Sequence, residues 1–290
     1  MDKNSAREIT YSSSAQTRSG KAVIKVVENT TGRLRLIRRA MGYDEDLARG
    51  GDFWQVMVDR YGLSLDVIAG DIGNIPTSGP LVVVANHPFG ILDGLMMGHL
   101  LSVRRGDFRI LANSVFGNAP DIERVILPIC FDETKDAIRL NLNTRAKALE
   151  FLRGGGAIGV FPGGTVSTAA KPFQRPMDPS WRRFTARMIA KSGATVLPVY
   201  FDGHNSRLFQ FASHLHYNLR VALLLKEFHN RIDKPVRLSI GDPIAPSEIA
   251  RFGADPGSLM DFLRDATYDL SPTKADCTDY GYEFEAKYRA

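Results

Sequence analysis

The stretch VVVANHPFGILDGL, residues 82–95, sets a run of valines directly before His87, Pro88, Gly90, Asp93 and Gly94. An apolar run without alternation reads as a strand covered on both faces. It stops at polar and turn-forming residues, which places a histidine and an aspartate at the rim of the core. Working outward, LVVVAN (81–86), FRILAN (108–113), RVILPIC (124–130), AIGVF (157–161), TVLPVYF (195–201) and VRLSIG (236–241) read as further strands. Helical patterns lie between them. Asp136 to Leu152 carries Ile138, Leu142, Leu149 and Leu152 at helical spacing and ends in Gly154-Gly155-Gly156. DPSWRRFTARMIAKSG, from Asp178, has an Asp-Pro start and a Ser-Gly end. Alternating strands and helices predict an α/β fold: a single domain with a largely parallel or mixed central sheet flanked by helices.

The chain of 290 residues, 44% hydrophobic and 24% charged, has ordinary globular composition and enough length for a sizeable core. Residues 1–65 read as a basic, mainly helical N-terminal segment, 66–270 as the α/β domain and 271–290 as a polar tail. Only Cys130 and Cys277 are present, one in an apolar run and one in the tail, so a reducing compartment is expected rather than a disulfide framework. The polar start, MDKNSAREITYSSSAQTRSGK, lacks the apolar centre of a secretory signal. Leu81 to Leu101 is the longest apolar-rich stretch, but Asn86, His87, Pro88, Asp93 and His99 interrupt it and exclude an ordinary membrane-spanning helix. The net charge of +5 is uneven. Arg18, Lys21, Lys25, Arg33, Arg35, Arg38 and Arg39 face the single acid Glu28, interleaved with apolar residues such as Ile24 and Leu36. Such a segment suits an anionic membrane surface or a nucleic-acid backbone, and equally a solvated helix packed on the main domain.

Three polar clusters fall at the carboxyl ends of expected strands, where α/β proteins gather their ligand-binding loops: NHPFGILDG, PGGTVSTA and DGHNSR. GGGAIG (154–159) matches G-x-G-x-x-G, but it follows a helix and precedes a strand, the reverse of a dinucleotide fingerprint. A Walker A sequence and a G-x-S-x-G elbow are both absent. His204, His214, His216 and His229 lack the accompanying cysteine or carboxylate spacing of a zinc site, so no metal is expected.

His87 and Asp93 have two readings. A neutral imidazole can take a proton from a hydroxyl while a carboxylate holds its tautomer. Alternatively Asp93 caps the following helix and His87 bonds only to backbone. In VFPGGTVSTA, Gly163 and Gly164 let a substrate approach the backbone, whose N–H groups can hold an oxyanion or phosphate; the same composition fits a plain turn.

NHPFGILD, FPGGTVS and LPVYFDG, in that order, resemble the motifs of the lysophospholipid acyltransferase superfamily, which includes the bacterial glycerol-phosphate acyltransferases: N-H-x-x-x-x-D, F-P-E-G-T-R-S and an apolar strand with V-P-V. The resemblance covers about residues 75–205. FDGHNSRLFQ and VRLSIGDPI look like a subgroup acting on ornithine-type or other lysolipids and extend it to about 245. It implies that His87 deprotonates an acceptor hydroxyl, that Asp93 orients His87, and that the hydroxyl attacks an acyl thioester with neither metal nor other cofactor. Asn86, Gly163, Gly164 and Thr165 would hold substrate. Two departures stand out. Five residues separate His87 from Asp93 instead of four, which requires Gly90 to absorb the extra one. Gly163 and Val166 replace the family's Glu and Arg, the charged residues associated with the acceptor's phosphate. Arg124, Arg175 and Arg207 are the candidate replacements, because a guanidinium grips phosphate or carboxylate bidentately.

The resulting expectation is a peripheral acyltransferase on the cytoplasmic face of a membrane. It would move a fatty acyl group from acyl carrier protein or acyl-CoA to a lysolipid, with the basic segment on anionic lipid. Exposed apolar patches beside Phe89, Leu92 and Met96–Met97 would support this, and the same residues equally fit a place in the core. The alternative is a catalytically silent lipid- or acyl-carrier-protein-binding module. Nucleic-acid binding rests on charge alone, no recognised motif supports it, and no nucleic-acid partner is expected.

Overall fold

A computed structural model describes residues 10–12, 15, 17–113, 120–130, 134–274 and 279–284, the side chains of 120 and 121 excepted. Cys277 lies outside the described residues. Four helices come first: α1 (Arg18–Thr31), α2 (Arg33–Ala40), α3 (Tyr43–Ala48) and α4 (Phe53–Arg60). Then follow β1 (Ser64–Ala69), β2 (Leu81–Ala85), α5 (Ile91–Arg104), β3 (Phe108–Asn113), α6 (Pro120–Glu123), β4 (Ile126–Ile129), α7 (Lys135–Arg153) and β5 (Ala157–Val160). The chain continues through α8 (Arg183–Ser192), β6 (Thr195–Phe201), α9 (Arg207–Leu215), α10 (Tyr217–His229), β7 (Pro235–Ile240), α11 (Pro246–Ala250) and α12 (Pro256–Tyr268).

The strands form one seven-stranded sheet in the order β1-β7-β6-β2-β5-β3-β4. From β6 to β4 the strands run parallel, while β7 pairs antiparallel with β6 and parallel with β1, so the sheet is mixed. All of β2 is buried, as its unbroken apolar sequence requires. Its odd residues, Leu81, Val83 and Ala85, join one core with Met96, Met97 and Leu100 of α5, Trp54 of α4 and Phe228 of α10. Its even residues, Val82 and Val84, join the other core with Leu152 of α7, Met188 and Ile189 of α8 and Leu263 of α12. The result is three layers around a central β2. Pro128 is accommodated because β4 is an edge strand.

Several expectations need correction. Strand β1 was not anticipated: its half-exposed SLDVIA sequence, with Asp66 in the middle, lacks the apolar run of the central strands. In α7 the buried residues are Ala137, Thr144, Ala148 and Leu152, whereas Ile138 and Leu142 are exposed. Phe89, Leu92, Met96 and Met97 are core residues, not an exposed patch. Asp178-Pro179 does not begin a helix, because α8 starts at Arg183 and Asp178 is bonded elsewhere. In the N-terminal segment, Ile24 and Leu36 are fully buried, and Arg39 pairs with Asp233 across the molecule.

Candidate active site

The three polar clusters follow β2, β5 and β6, and these are adjacent parallel strands. Their carboxyl ends therefore meet on one edge of the sheet, with the β2 loop in the middle. Asn86 joins two of them: its amide nitrogen donates to Phe201 O at 2.9 Å and its oxygen accepts from Phe201 N at 2.7 Å. Both ends of this buried amide are thus used inside the protein, which makes Asn86 a clasp between strand ends rather than a group facing a ligand.

Beyond Asn86 the chain turns through Gly90, whose φ of +88° is one that side-chain-bearing residues rarely adopt. This turn accommodates the longer spacing, and His87 Nδ1 comes to 2.9 Å from Asp93 Oδ2. The contact has ion-pair distance without the alignment of a strong hydrogen bond, a geometry that commonly tightens only when substrate binds. Asp93 is fully buried and also accepts the N–H groups of Phe89 (2.8 Å) and Gly90 (2.9 Å) at the start of α5. One carboxylate therefore both caps α5 and contacts His87. The His87 ring stacks on Phe161 from the end of β5, with centroids 4.3 Å apart. Its backbone N–H donates to Asp178 Oδ1, and its carbonyl accepts from Ser167 N. Nε2 has no protein partner among the described residues and stays open to solvent.

Burial raises the Asp93 pKa above the ordinary carboxylate range, although His87 and the two amides pull the other way. A group whose folded pKa is raised costs no stability below its unfolded pKa and progressively more as pH rises through the folded value. Asp93→Asn keeps an oxygen for the two amides but carries no charge. The variant is expected to melt with the wild type at acid pH and above it near neutrality, with transfer activity reduced. Thermal melts across that range check this, and a neutral-pH melting point below the wild type would show that the ionised pair stabilises the fold.

The Gly163–Thr165 loop lies against the same centre. A side chain at Gly163 would press within 3.2 Å of Asp178, and Gly164, at φ +70°, donates to Phe161 O. Thr165 Oγ1 accepts from Arg220 of α10 at 3.0 Å. Arg220 also donates to Val166 O, Thr168 Oγ1 and Ser213 Oγ, so the loop that lacks the family's arginine is braced by one from a distant helix. Among the described residues no carboxylate pairs with this buried guanidinium, and burial pulls its pKa down to about 9.

Arg124, Arg175 and Arg207 do not converge on the pair. Arg124 precedes β4 and so sits at the amino ends of the parallel strands, the opposite edge from His87. Arg175 is bonded to Tyr200 Oη, Ser271 Oγ and the carbonyls of Thr273 and Lys274. Arg207 is exposed at the start of α9, beside the third cluster. The histidines also have local roles: His214 bonds Ala169 O, and His216 caps α10 through Asn218 N. Among the described residues no group of three His, Cys, Asp or Glu side chains is placed to hold a metal.

Sequence reasoning missed Asp178 and Arg220. Asp178 is fully buried and accepts from His87 N, Ser167 Oγ and Trp181 Nε1, tying the first two loops together. Its Asp-Pro context mimicked a helix start. Arg220 sits within an otherwise apolar helix, and its placement in YNLRVALLL was the available signal.

A model of an acyltransferase family matches residues 51–276. The chain belongs to this acyltransferase family, as its motif order implies. A lyso-glycine lipid O-acyltransferase of Phocaeicola vulgatus is 23% identical over 228 residues, spanning 76% of this chain and 78% of the relative. The protein of the same name from Bacteroides thetaiotaomicron is likewise 23% identical, spanning 76% and 80%. Among solved structures, the 1-acyl-sn-glycerophosphate acyltransferase PlsC of Thermotoga maritima is similar at 18% identity and a TM-score of 0.46, covering 89% of this chain and 83% of that one.

Proposed function

We propose that the protein transfers a fatty acyl group from a thioester to the hydroxyl of a lysolipid, with His87 as general base. The observation that carries this reading is His87 itself, with one ring nitrogen against a buried carboxylate and the other open at the junction of three strand ends. The acceptor hydroxyl gives its proton to Nε2 as its oxygen attacks the thioester carbonyl carbon. Asp93 stabilises the imidazolium. When the tetrahedral intermediate collapses, the C–S bond breaks and the departing thiolate takes that proton, leaving ester and thiol. The thioester supplies the activated acyl group, so the scheme asks for no resident cofactor. The names of the two relatives support a lysolipid acceptor and transfer to oxygen. The test is acyl transfer by purified protein, with acyl carrier protein and CoA thioesters as donors and lysolipids of different headgroup as acceptors. Ester formed in a donor-dependent way supports the reading, and binding without transfer from any donor sinks it.

The same reading places the enzyme on a membrane surface. No helix among the described residues is long and apolar enough to cross a membrane. Helix α9 turns Leu208, Phe211 and Leu215 outward at helical spacing, followed by Tyr217. Its inner face bonds Ala169 through Gln210 and His214, next to the Gly163–Thr165 loop. From Ala169 the chain runs on to Phe173, 86% exposed and held at φ +74°, an unfavourable angle for a non-glycine residue. Helix α1, packed along α10, contributes exposed Arg18, Lys21 and Lys25. Apolar insertion beside basic residues suits anionic lipid. Phe173→Asp and Phe211→Asp are each expected to weaken binding to anionic vesicles about 10-fold or more, from loss of about 1.5–3 kcal/mol of apolar burial. Sedimentation with vesicles checks this, and unchanged binding by both would remove the face from consideration.

A further inference from the structure

We infer that Arg231 is the anion-binding residue for the acceptor's headgroup, a carboxylate or phosphate, standing in for the charge missing at Val166. The inference rests on the acyltransferase reading above and concerns its specificity. Arg231 follows α10, and its guanidinium lies over the ring of Phe89, with Cζ 4.1 Å from the centroid. Phe89 is two residues beyond His87, and its N–H rests on the Asp93 carboxylate. The third polar cluster closes over the same pair. A side chain at Gly203, at φ +125°, would come within 2.8 Å of Phe89 Cζ and 3.5 Å of Arg231 Nη2. Nη2 donates to His204 O at 3.2 Å.

That single bond is the only hydrogen bond of the Arg231 side chain among the described residues, although a guanidinium carries five N–H donors. No carboxylate comes within ion-pair distance of it there, and its remaining nitrogens are open to solvent. The carboxylates of Asp93, Glu227 and Asp202 act on it from farther away. Each has nearer partners: Asp93 has His87, Glu227 has Ser206, and Asp202 has Arg237. A partly buried cation with most of its donors unused, held flat by stacking beside the proposed base, is pre-organised for a two-pronged grip on an oxyanion. Arg220 cannot serve in the same way, because four of its N–H groups are already bonded within the loop. Arg207 is exposed, and no aromatic ring among the described residues stacks on its guanidinium.

The test compares wild type, Arg231→Met and Arg231→Lys on three acceptors: a carboxylate-bearing lysolipid, its neutral methyl ester and a phosphate-bearing lysolipid. Loss of a charge-assisted bond worth about 1.5–3 kcal/mol lowers the preference for charged over neutral acceptor about 10- to 100-fold, read in kcat/KM and chiefly through the acceptor's KM. Arg231→Lys is expected to recover part of it. The anion, carboxylate or phosphate, whose preference falls further is the natural headgroup chemistry. Equal loss on charged and neutral acceptors would show a structural role and overturn the inference, as would an unchanged preference. A rise in the donor's KM alone would assign Arg231 to the thioester carrier instead. Calorimetric binding of the same lipids without donor reads the site separately. If wild type transfers nothing yet binds the anionic lipid through Arg231, the catalytic reading fails and this one stands.

Discussion

His87→Ala is expected to lower acyl transfer by about 100- to 10,000-fold, the range that a positioned general base contributes, while leaving the melting temperature close to that of the wild type. The reason for the small structural effect is local. The His87 backbone makes the bonds that hold the loop, to Asp178 and from Ser167, and these survive truncation. The side chain contributes its stacking on Phe161 and its contact with Asp93. Removing the imidazole also leaves Asp93 buried with only its two amide donors, so the variant's stability is expected to fall slightly at neutral pH and less at acid pH. Side-by-side transfer rates and melts decide the matter. Transfer undiminished by the substitution would remove His87 as the base. A wild type that binds lipid or carrier yet transfers nothing would favour the silent binding module.

Asp178→Ala is expected to produce the largest structural effect. Its carboxylate receives a backbone N–H, a hydroxyl and an indole N–H inside the protein, and truncation strands all three. Buried groups left without partners cost about 1–3 kcal/mol each, so a loss of about 3–5 kcal/mol is expected, allowing for relaxation. That lowers the melting temperature by roughly 6–20 °C. Activity falls as well, because the β2 and β5 loops lose their common anchor. Asp178→Asn retains one oxygen for His87 and Ser167 but turns an amide N–H toward Trp181 Nε1, donor against donor. The double variant with Trp181→Phe removes that opposition and is expected to recover part of the stability lost by the amide. A melting point for Asp178→Ala within a degree or so of the wild type would show that water replaces the carboxylate and that the hub has no structural weight.

The difference between Asp178 and Asp93 illustrates how far local sequence reaches. Asp93 sits within one helical turn of Gly90, and its relation to His87 follows from loop length and a glycine, both visible in NHPFGILDG. Asp178 is distant from His87 in sequence, and its position before a proline suggests a helix cap. The cap is not made because the carboxylate is taken by His87 and Ser167 from two other loops and by the nearby indole of Trp181. Arg220 was hidden for a similar reason. An arginine in an apolar helix ordinarily reads as a residue reaching for water, and only the packing of α10 against the β5 loop shows that it faces Thr165 and Val166. The place of the exposed apolar residues was undecided on the same ground. Phe89, Leu92 and Met96–Met97 lie near the site in sequence, yet α5 packs them into the core, while the outward stripe belongs to α9.

By itself, the sequence determined the central strands, the alternation of strands with helices and the three polar clusters, and it set His87 and Asp93 close enough to meet through Gly90. Each of these depends on hydrophobic periodicity or on residues a few positions apart, where chain geometry leaves few choices. Tertiary structure alone decided what meets across the strand ends. It placed Asp178 beneath His87, Arg220 behind the glycine loop and Arg231 on Phe89. It also laid Gly281 and Tyr282 along Asp178 and Thr168, with Glu283 paired to Arg182. Those contacts join segments far apart in the chain through single polar groups, and a lone polar group leaves no periodic trace; its partner is fixed only when the core has packed and the donors left inside must be matched.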